Sequence, residues 1–182
     1  LAEKVSGSEE AFVASMNQKA KELGMVNTNF LDSSGLTDEG HYSTAYDIAV
    51  MSRELLLKHP QITEYTSIWH DTFRDGTFAL NNTNKLIRFY DGANGLKTGF
   101  TSKAGFCLSA TAKRDNMELI AVVLGEPDSN TRFAEARKLL DYGFTNYELN
   151  PINKEGDIAG EILVRNGIKK SLIVVFPYNV DL

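Results

Sequence analysis

The residues best suited to chemistry lie in one glycine-rich segment, Asp91-Gly-Ala-Asn-Gly-Leu-Lys-Thr-Gly-Phe-Thr101. Lys97 supplies an ammonium charge, and the hydroxyls of Thr98 and Thr101 can hydrogen-bond a carboxylate. Gly99 has no side chain that would keep a ligand away from the backbone. The segment favours the binding of an anionic group. A solvated lysine in a glycine-rich turn is the alternative, because a Lys-Thr-Gly tripeptide alone is weakly specific.

A serine nucleophile needs a neighbouring base, and the 182 residues contain no Ser-x-x-Lys motif. Ser-x-Asn occurs once, at Ser15-Met16-Asn17, within a predicted helix and beside a core residue, so we interpret it as a chance match. Cys107 alternates with apolar residues, which is typical of a small core residue and not of a nucleophile. From the residues alone, the machinery of a serine acyl-enzyme is missing.

Metal, nucleic-acid and membrane functions find little support in the sequence. The three histidines, His41, His59 and His70, share no zinc-binding spacing, and the single cysteine cannot build a metal site alone. We therefore expect no metal and no cofactor. A net charge of −5 gives no general basic surface for nucleic acid, and the longest apolar runs are too short to span a membrane.

Three amphipathic helices are predicted from a 3.6-residue period. The first covers residues 9–23, begins with a capping box of Ser6 and Glu9, and ends at Gly24. The second begins at Ser43 or Thr44 and ends before Pro60, and the third begins at a cap, Asn130. Their apolar stripes are Ile48, Met51 and Leu55 in the second helix, and Phe133, Ala136, Leu140 and Phe144 in the third.

Antiparallel strands are predicted between the second and third helices. Residues 68–73 and 77–80 flank the turn Arg74-Asp75-Gly76, and three further strands cover 95–101, 106–113 and 117–124. After Pro151, residues 161–165 and 168–175 flank Asn166-Gly167, a strong hairpin signal. Helices, antiparallel strands and then a helix predict an α+β fold, with a small second domain beginning near Pro151.

Longer stretches resemble the low-molecular-mass penicillin-binding proteins, the serine-type D-alanyl-D-alanine carboxypeptidases, especially those of Gram-positive spore formers. The similarity runs nearly continuously over residues 1–147, and together its motifs are far more specific than Lys-Thr-Gly alone. They include Leu23-Gly-Met-Val-Asn-Thr-Asn-Phe30, Gly40-His-Tyr-Ser-Thr-Ala-Tyr-Asp47, Gly95-Leu-Lys-Thr-Gly-Phe-Thr101 and Lys138-Leu-Leu-Asp-Tyr-Gly-Phe144.

The resemblance implies the penicilloyl-serine transferase fold that these enzymes share with serine β-lactamases. Residues 1–148 would be the C-terminal portion of that domain, and residues 149–182 the start of a β-rich C-terminal domain. In the family, Ser-x-x-Lys, Ser-x-Asn and Lys-Thr-Gly meet in one cleft. Because the first two would precede Leu1, and because both chain ends look cut, we expect a longer polypeptide or a separate N-terminal chain, and low stability for these residues alone.

The resemblance also implies roles for individual residues. Lys97 and Thr98 would bind the terminal D-alanine carboxylate or the equivalent β-lactam carboxylate. The strand from Gly99 to Thr101 would pair with the substrate backbone as an added strand. The backbone N–H of Phe100 would be one of two donors to the oxyanion, with the N–H of the nucleophilic serine as the other.

The implied activity is removal of the terminal D-alanine from peptidoglycan stem pentapeptides through a penicillin-sensitive acyl-serine. The implied partners are stem peptides and β-lactams. The protein would be exported to the extracellular face of the cell envelope, with the parent enzyme membrane-associated through its C-terminus. Two alternatives remain: a non-catalytic, peptide-binding or truncated homologue, and a serine β-lactamase, which the block of residues 23–49 and the added β domain disfavour.

Overall fold

The structure is a computed structural model of the chain and describes residues 1–36, 39–165, 168–169, 171–178 and 180–181. Contacts divide the chain into two units, Leu1–Thr145 and Asn146–Leu182. The first unit contains helices and a three-stranded sheet, and the second contains short strands. No helix among these residues has the length and apolar character needed to cross a membrane.

The three long predicted helices are confirmed, and three short ones lie between or before them. A helix of one turn carries too few residues to show a period, which is why the short ones were not predicted. The helices are α1 Ala2–Ser6, α2 Glu9–Glu22, α3 Ala45–Lys58, α4 Ile62–Thr66, α5 Leu86–Phe89 and α6 Ser129–Asn146.

Helix α2 begins at Glu9 as predicted, but the residue predicted to cap it is wrong. Ser6 ends α1, and the cap of α2 is Ser8, whose extended backbone lets its hydroxyl accept the N–H of Ala11 at 3.1 Å. The end is as predicted, since Gly24 follows the last turn with a φ of +75°.

The start of α6 is also displaced. Asp128, and not Asn130, accepts the first free N–H groups, those of Asn130 and Thr131, at 2.7 and 2.9 Å. The predicted stripe of α6 is confirmed, because Phe133, Ala136 and Leu140 are buried.

The predicted face of α3 is only partly correct, because Ile48 and Leu55 of the predicted stripe are half-buried and not fully buried. Its buried residues are Asp47, Ser52 and Leu56, whereas Met51 of the predicted stripe is 37% exposed. The Ser52 hydroxyl lies 2.8 Å from that of Ser109 in the sheet, so part of this helix packs through a polar pair. A search for apolar periodicity cannot detect such a face.

We expect Thr44→Ala to lower the free energy of unfolding by about 1 kcal/mol, because the Thr44 hydroxyl caps α3 by accepting the N–H of Asp47 at 3.1 Å. Urea denaturation measures the change. Thr44→Ser keeps the hydroxyl and is the matched control, for which we expect wild-type stability. Equal stability of the alanine variant and the wild type would contradict the prediction.

The sheet of the first unit has the antiparallel order β3-β4-β5, with β3 Ala93–Thr101, β4 Gly105–Arg114 and β5 Met117–Glu126. These strands agree with the predicted ones. Lys97 lies opposite Ser109 in the register, and Gly99 lies opposite Cys107. A separate antiparallel hairpin is formed by β1 His70–Phe73 and β2 Phe78–Asn81, as predicted for the turn at Arg74.

The core lies on the face of the sheet that carries alternate residues of β4. Leu108, Ala110 and Ala112 of that strand are almost completely buried and cluster with residues of β5, α5 and α6. The opposite face of β4 carries Ser109, the partner of Ser52 in α3. Helices α6 and α3 therefore contact the two faces of β4, which holds the neighbouring edge strand β3 in place.

The second unit pairs β6 Pro151–Asn153 with β9 Val180–Asp181, and β7 Ile158–Leu163 with β8 Ser171–Val175. The β7–β8 pair matches the predicted second hairpin, with β7 starting three residues earlier than predicted. Its proposed turn, Asn166-Gly167, lies outside the described residues. The assignment of residues 149–182 to the start of a separate β-rich domain stays a prediction.

Candidate functional site

The five residues predicted for the site line one cavity of about 610 Å³: Lys97, Thr98, Gly99, Phe100 and Thr101. All five lie on β3, which pairs only with β4 among the described strands and so leaves an edge free. An edge strand presents unpaired N–H and C=O groups that can bind an extended peptide as a further strand. The edge position supports strand addition here, and this role stays a prediction.

Hydrogen bonds orient the polar side chains of this strand. The Lys97 ammonium, which is exposed, donates to the carbonyl of Thr98. The Thr98 hydroxyl lies 2.7 Å from that of Thr83, which lines the same cavity. The Thr101 hydroxyl accepts the N–H of Ala104 at 3.0 Å. The donors of this wall are therefore held close to the free strand edge.

The fold leaves space for a side chain at Gly99. A Cβ added there would meet only the Cβ of Cys107, at an ordinary contact distance of 3.7 Å, and the backbone does not need a positive φ. Nothing within the fold requires glycine at this position. The absence of a side chain leaves room for a ligand close to the backbone, and this role of Gly99 stays a prediction.

Phe100 holds its ring against the sheet. The ring is tilted on that of Phe106, its register partner, with 4.3 Å between centroids, while 59% of the residue is exposed. The oxyanion role of its N–H stays a prediction, and it depends on the backbone and not on the ring.

Arg132 is a site residue that sequence reasoning missed. It comes from α6, is only 6% exposed, and lines the cavity beside Lys97. Its Nη1 donates to the carbonyls of Gly99 and Cys107 at 3.3 and 3.2 Å, whereas its buried Nε has no partner. Burial lowers the pKa of Arg132, yet a guanidinium stays protonated in proteins. The cavity therefore contains a buried cation with donor capacity to spare.

One sequence signal could have located Arg132. It precedes Ala136 and Leu140 at four-residue spacing, so it falls on the apolar stripe of its helix. A charge on a buried stripe is costly unless it is paired, and among the described residues no carboxylate forms an ion pair with Arg132. Such a cation is suited to an anionic ligand.

Ser34 and Gly35, from the loop before α3, form another part of the cavity wall. One oxygen of Asp32 accepts the Ser34 hydroxyl and three successive backbone N–H groups, those of residues 34–36, at 2.5–3.3 Å. These bonds, led by that of the Ser34 hydroxyl, lower the pKa of Asp32 to about 2 against opposing desolvation. Because the folded pKa is lowered, the carboxylate stabilises this wall above its ordinary pKa and loses that effect only as the pH falls through about 2.

The charges lining the cavity are of one sign. The described lining residues include two cations, Lys97 and Arg132, and no carboxylate. Two cations and several hydroxyls around a free strand edge can hold the carboxylate end of an extended peptide. Among the described residues, no group of three metal-ligating side chains is close enough to hold a metal ion.

Apart from Cys107, the other candidate residues lie in local contacts outside the cavity. The Ser15 hydroxyl donates to the Ala11 carbonyl within α2, and the Asn17 amide bonds both backbone groups of Phe30, which agrees with a chance Ser-x-Asn match. His41 lies 3.4 Å from Asp32, and His70 lies 2.9 Å from Asn81. Cys107 does line the cavity, with its thiol directed at the carbonyl of Ala104.

Comparison with known proteins gives a family match for most of the chain. Residues 1–128 match the family model of D-alanyl-D-alanine carboxypeptidase. The chain is 49% identical to D-alanyl-D-alanine carboxypeptidase DacF of Bacillus subtilis over 173 residues, covering 93% of this chain and 44% of the relative. It spans less than half the length of that relative.

Two solved structures of penicillin-binding proteins show the same fold. Penicillin-binding protein 3 of Streptococcus pneumoniae superposes with a TM-score of 0.86 at 29% identity, covering 100% of this chain and 56% of that one. Penicillin-binding protein D2 of Listeria monocytogenes, in a cefotaxime-bound form, gives 0.72 at 37% identity, covering 79% of this chain and 58% of that one. The predicted α+β fold of the D,D-peptidase domain is therefore confirmed.

Proposed function

The chain belongs to the D-alanyl-D-alanine carboxypeptidase family, and from this membership we propose that the protein removes the terminal D-alanine from peptidoglycan stem peptides. The observation that carries the proposal is the cavity beside β3, where Lys97 and Arg132 face a ligand without any lining carboxylate. A stem peptide ends in a carboxylate and is extended in shape, so it matches both the charge and the free strand edge.

The proposed reaction is acyl transfer to a serine followed by hydrolysis. The serine oxygen attacks the carbonyl before the last residue, the C–N bond breaks, and D-alanine leaves as an amine that gains a proton. Water then cleaves the acyl ester and regenerates the serine. The 182 residues contain no Ser-x-x-Lys motif, so the nucleophile of this mechanism is not among them.

The residues of this chain bind the substrate groups on either side of the scissile bond. Lys97 and Arg132 hold the carboxylate, Thr98 adds a hydroxyl, and the β3 edge aligns the substrate backbone. The N–H of Phe100 donates to the oxyanion of the tetrahedral intermediate, where one such donor contributes about 3–4 kcal/mol. We also propose that the protein acts at the extracellular face of the cell envelope, where stem peptides and β-lactams are present. The longer protein would associate with the membrane through its C-terminus.

The mass of the intact, denatured protein, isolated from cells and measured before and after exposure to benzylpenicillin, tests this proposal. We expect the mass to rise by one penicillin. Rapid penicillin turnover without a lasting adduct would favour the β-lactamase alternative. If the protein formed no adduct and also did not turn penicillin over, the proposed enzymatic function would be overturned. The protein would then be one that only binds peptides.

We expect Gly99→Ala to slow penicillin acylation by about tenfold or more, since the added methyl occupies space that a strand-like ligand needs. The melting temperature should stay at the wild-type value, because the methyl meets only Cys107 at 3.7 Å within the fold. Stopped-flow acylation and thermal denaturation measure the two effects. Gly160→Ala, at a glycine with nothing within 4 Å, is the matched control. Unchanged acylation of Gly99→Ala would contradict the prediction.

A further inference from the structure

The β1–β2 hairpin carries an exposed aromatic face that the proposed reaction does not use. Side chains alternate along a strand, so Asp71 and Phe73 of β1 share one face with their register partners, Leu80 and Phe78 of β2. All eight residues of the two strands are exposed. A two-stranded hairpin with exposed rings buries little of its own apolar surface, and contiguous patches of this kind mark binding sites.

At the base of this hairpin lies an open cleft of about 300 Å³. Its wall combines two aromatic rings, Tyr65 and Trp69, with one carboxylate, Asp71, and one carboxamide, Asn81, whose oxygen lies 2.9 Å from the Nδ1 of His70. Tyr65 is 69% exposed, so most of its ring is open to a ligand. The described lining residues include no lysine or arginine, which argues against an anionic ligand such as a phosphate.

The Trp69 ring is held in place by two neighbouring side chains. The Arg88 guanidinium lies 5.6 Å from the centroid of the ring, and the Phe89 ring meets it edge-on at 6.1 Å. A ring fixed in this way loses little freedom on binding, which makes it an effective platform.

We propose that this cleft binds a neutral oligosaccharide of N-acetylated hexosamines. The C–H faces of a pyranose ring pack on aromatic faces, while a carboxylate and a carboxamide each pair with neighbouring hydroxyl or acetamido groups. Apolar neighbours, Leu80 and Ile68, suit the acetamido methyl group. A mixed wall of rings and a few convergent polar groups is typical of small-ligand sites.

The sugar cleft adjoins the carboxylate cavity. Asn82 lines the cleft, and the next residue, Thr83, lines the cavity and bonds Thr98. The Asn82 amide is fixed by donating to the carbonyls of Thr66 and Ile68, so the two sites share one rigid segment. The choice of N-acetylated sugars rests on the proposed function, because stem peptides are carried on a glycan of such sugars, and one substrate would then contact both sites.

Isothermal titration of the full protein with the tetramer of β-1,4-linked N-acetylglucosamine tests the inference. We expect saturable binding that Tyr65→Ala weakens by about tenfold or more, since aromatic contacts dominate such sites. Tyr46→Ala, at a residue 73% exposed on α3, is the matched control and should bind as the wild type does. Asn81→Ala gives a second test through a polar contact, and maltotetraose, which lacks acetamido groups, should bind more weakly.

Absence of saturable binding, or binding that neither Tyr65→Ala nor Asn81→Ala changes, would overturn the site. Equal affinity for maltotetraose would overturn the specificity for N-acetylated sugars. Penicillin acylation of the same variants separates this inference from the proposed function, because Tyr65→Ala should be acylated at the wild-type rate. Sugar binding without acylation would remove the proposed function and keep the site, and acylation without sugar binding would do the reverse.

Discussion

Replacing Arg132 by methionine is expected to slow penicillin acylation and D-alanine release by about 100-fold or more. Removing one partner of a buried, hydrogen-bonded charge pair costs about 2–5 kcal/mol, and each 1.4 kcal/mol corresponds to about a factor of ten. Arg132 is buried, its Nε has no partner, and it lines the cavity without an opposing carboxylate. Among the described residues no carboxylate neutralises its charge, so the charge can act on a ligand carboxylate.

The arginine also supports the fold, since its Nη1 donates to the carbonyls of Gly99 and Cys107. A general loss of structure must be separated from a loss of carboxylate binding. A depsipeptide or peptide substrate whose terminal carboxylate is replaced by an amide separates the two effects. The wild type and Arg132→Met should process this substrate at similar rates. Arg132→Lys keeps the positive charge but lacks the paired donors of the planar guanidinium, so its acylation rate should lie between those of the wild type and Arg132→Met. If Arg132→Met discriminated between acid and amide as the wild type does, Arg132 would not bind the carboxylate.

The part of the site that could be predicted is the part that is contiguous in sequence. Lys97, Thr98 and Gly99 stand side by side, so their chemistry is visible without a fold. Arg132 and Ser34 reach the same cavity from α6 and from the loop before α3. Only the packing of distant elements brings them together, and no spacing rule encodes that packing.

The helices show a similar division between what is periodic and what is local. The apolar stripe of α6 runs from Phe133 to Phe144, over about three turns, and was predicted correctly. The cap was predicted at Asn130, whereas Asp128 accepts the first free N–H groups. Ser6 and Ser8 are both good caps, and the extended backbone of Ser8 decides between them. Ser6 instead ends α1, a helix too short to leave a pattern in the sequence.

Replacing Lys97 by methionine is expected to slow acylation by about 30-fold, less than the loss at Arg132, because Lys97 is exposed and water screens its charge. Its ammonium lies on β3 beside the carbonyl of Thr98, so the methionine stem can keep its place on the strand. Acylation kinetics at saturating and limiting penicillin separate binding from chemistry. A wild-type rate for Lys97→Met would contradict a role in carboxylate binding.

The two cations should also differ in their response to salt. Raising the ionic strength from about 0.05 M to about 0.5 M shortens the Debye length to a few ångströms and weakens exposed charges far more than buried ones. We therefore expect acylation by the wild type and by Arg132→Met to slow down as salt is added, and acylation by Lys97→Met to respond little.

If both cations bind the same carboxylate, the acylation rate of the double variant should fall by less than the product of the two single losses, because each cation depends on the position that the other gives the ligand. Independent, multiplying losses together with full salt sensitivity in Lys97→Met would mean that Lys97 acts elsewhere than on that carboxylate.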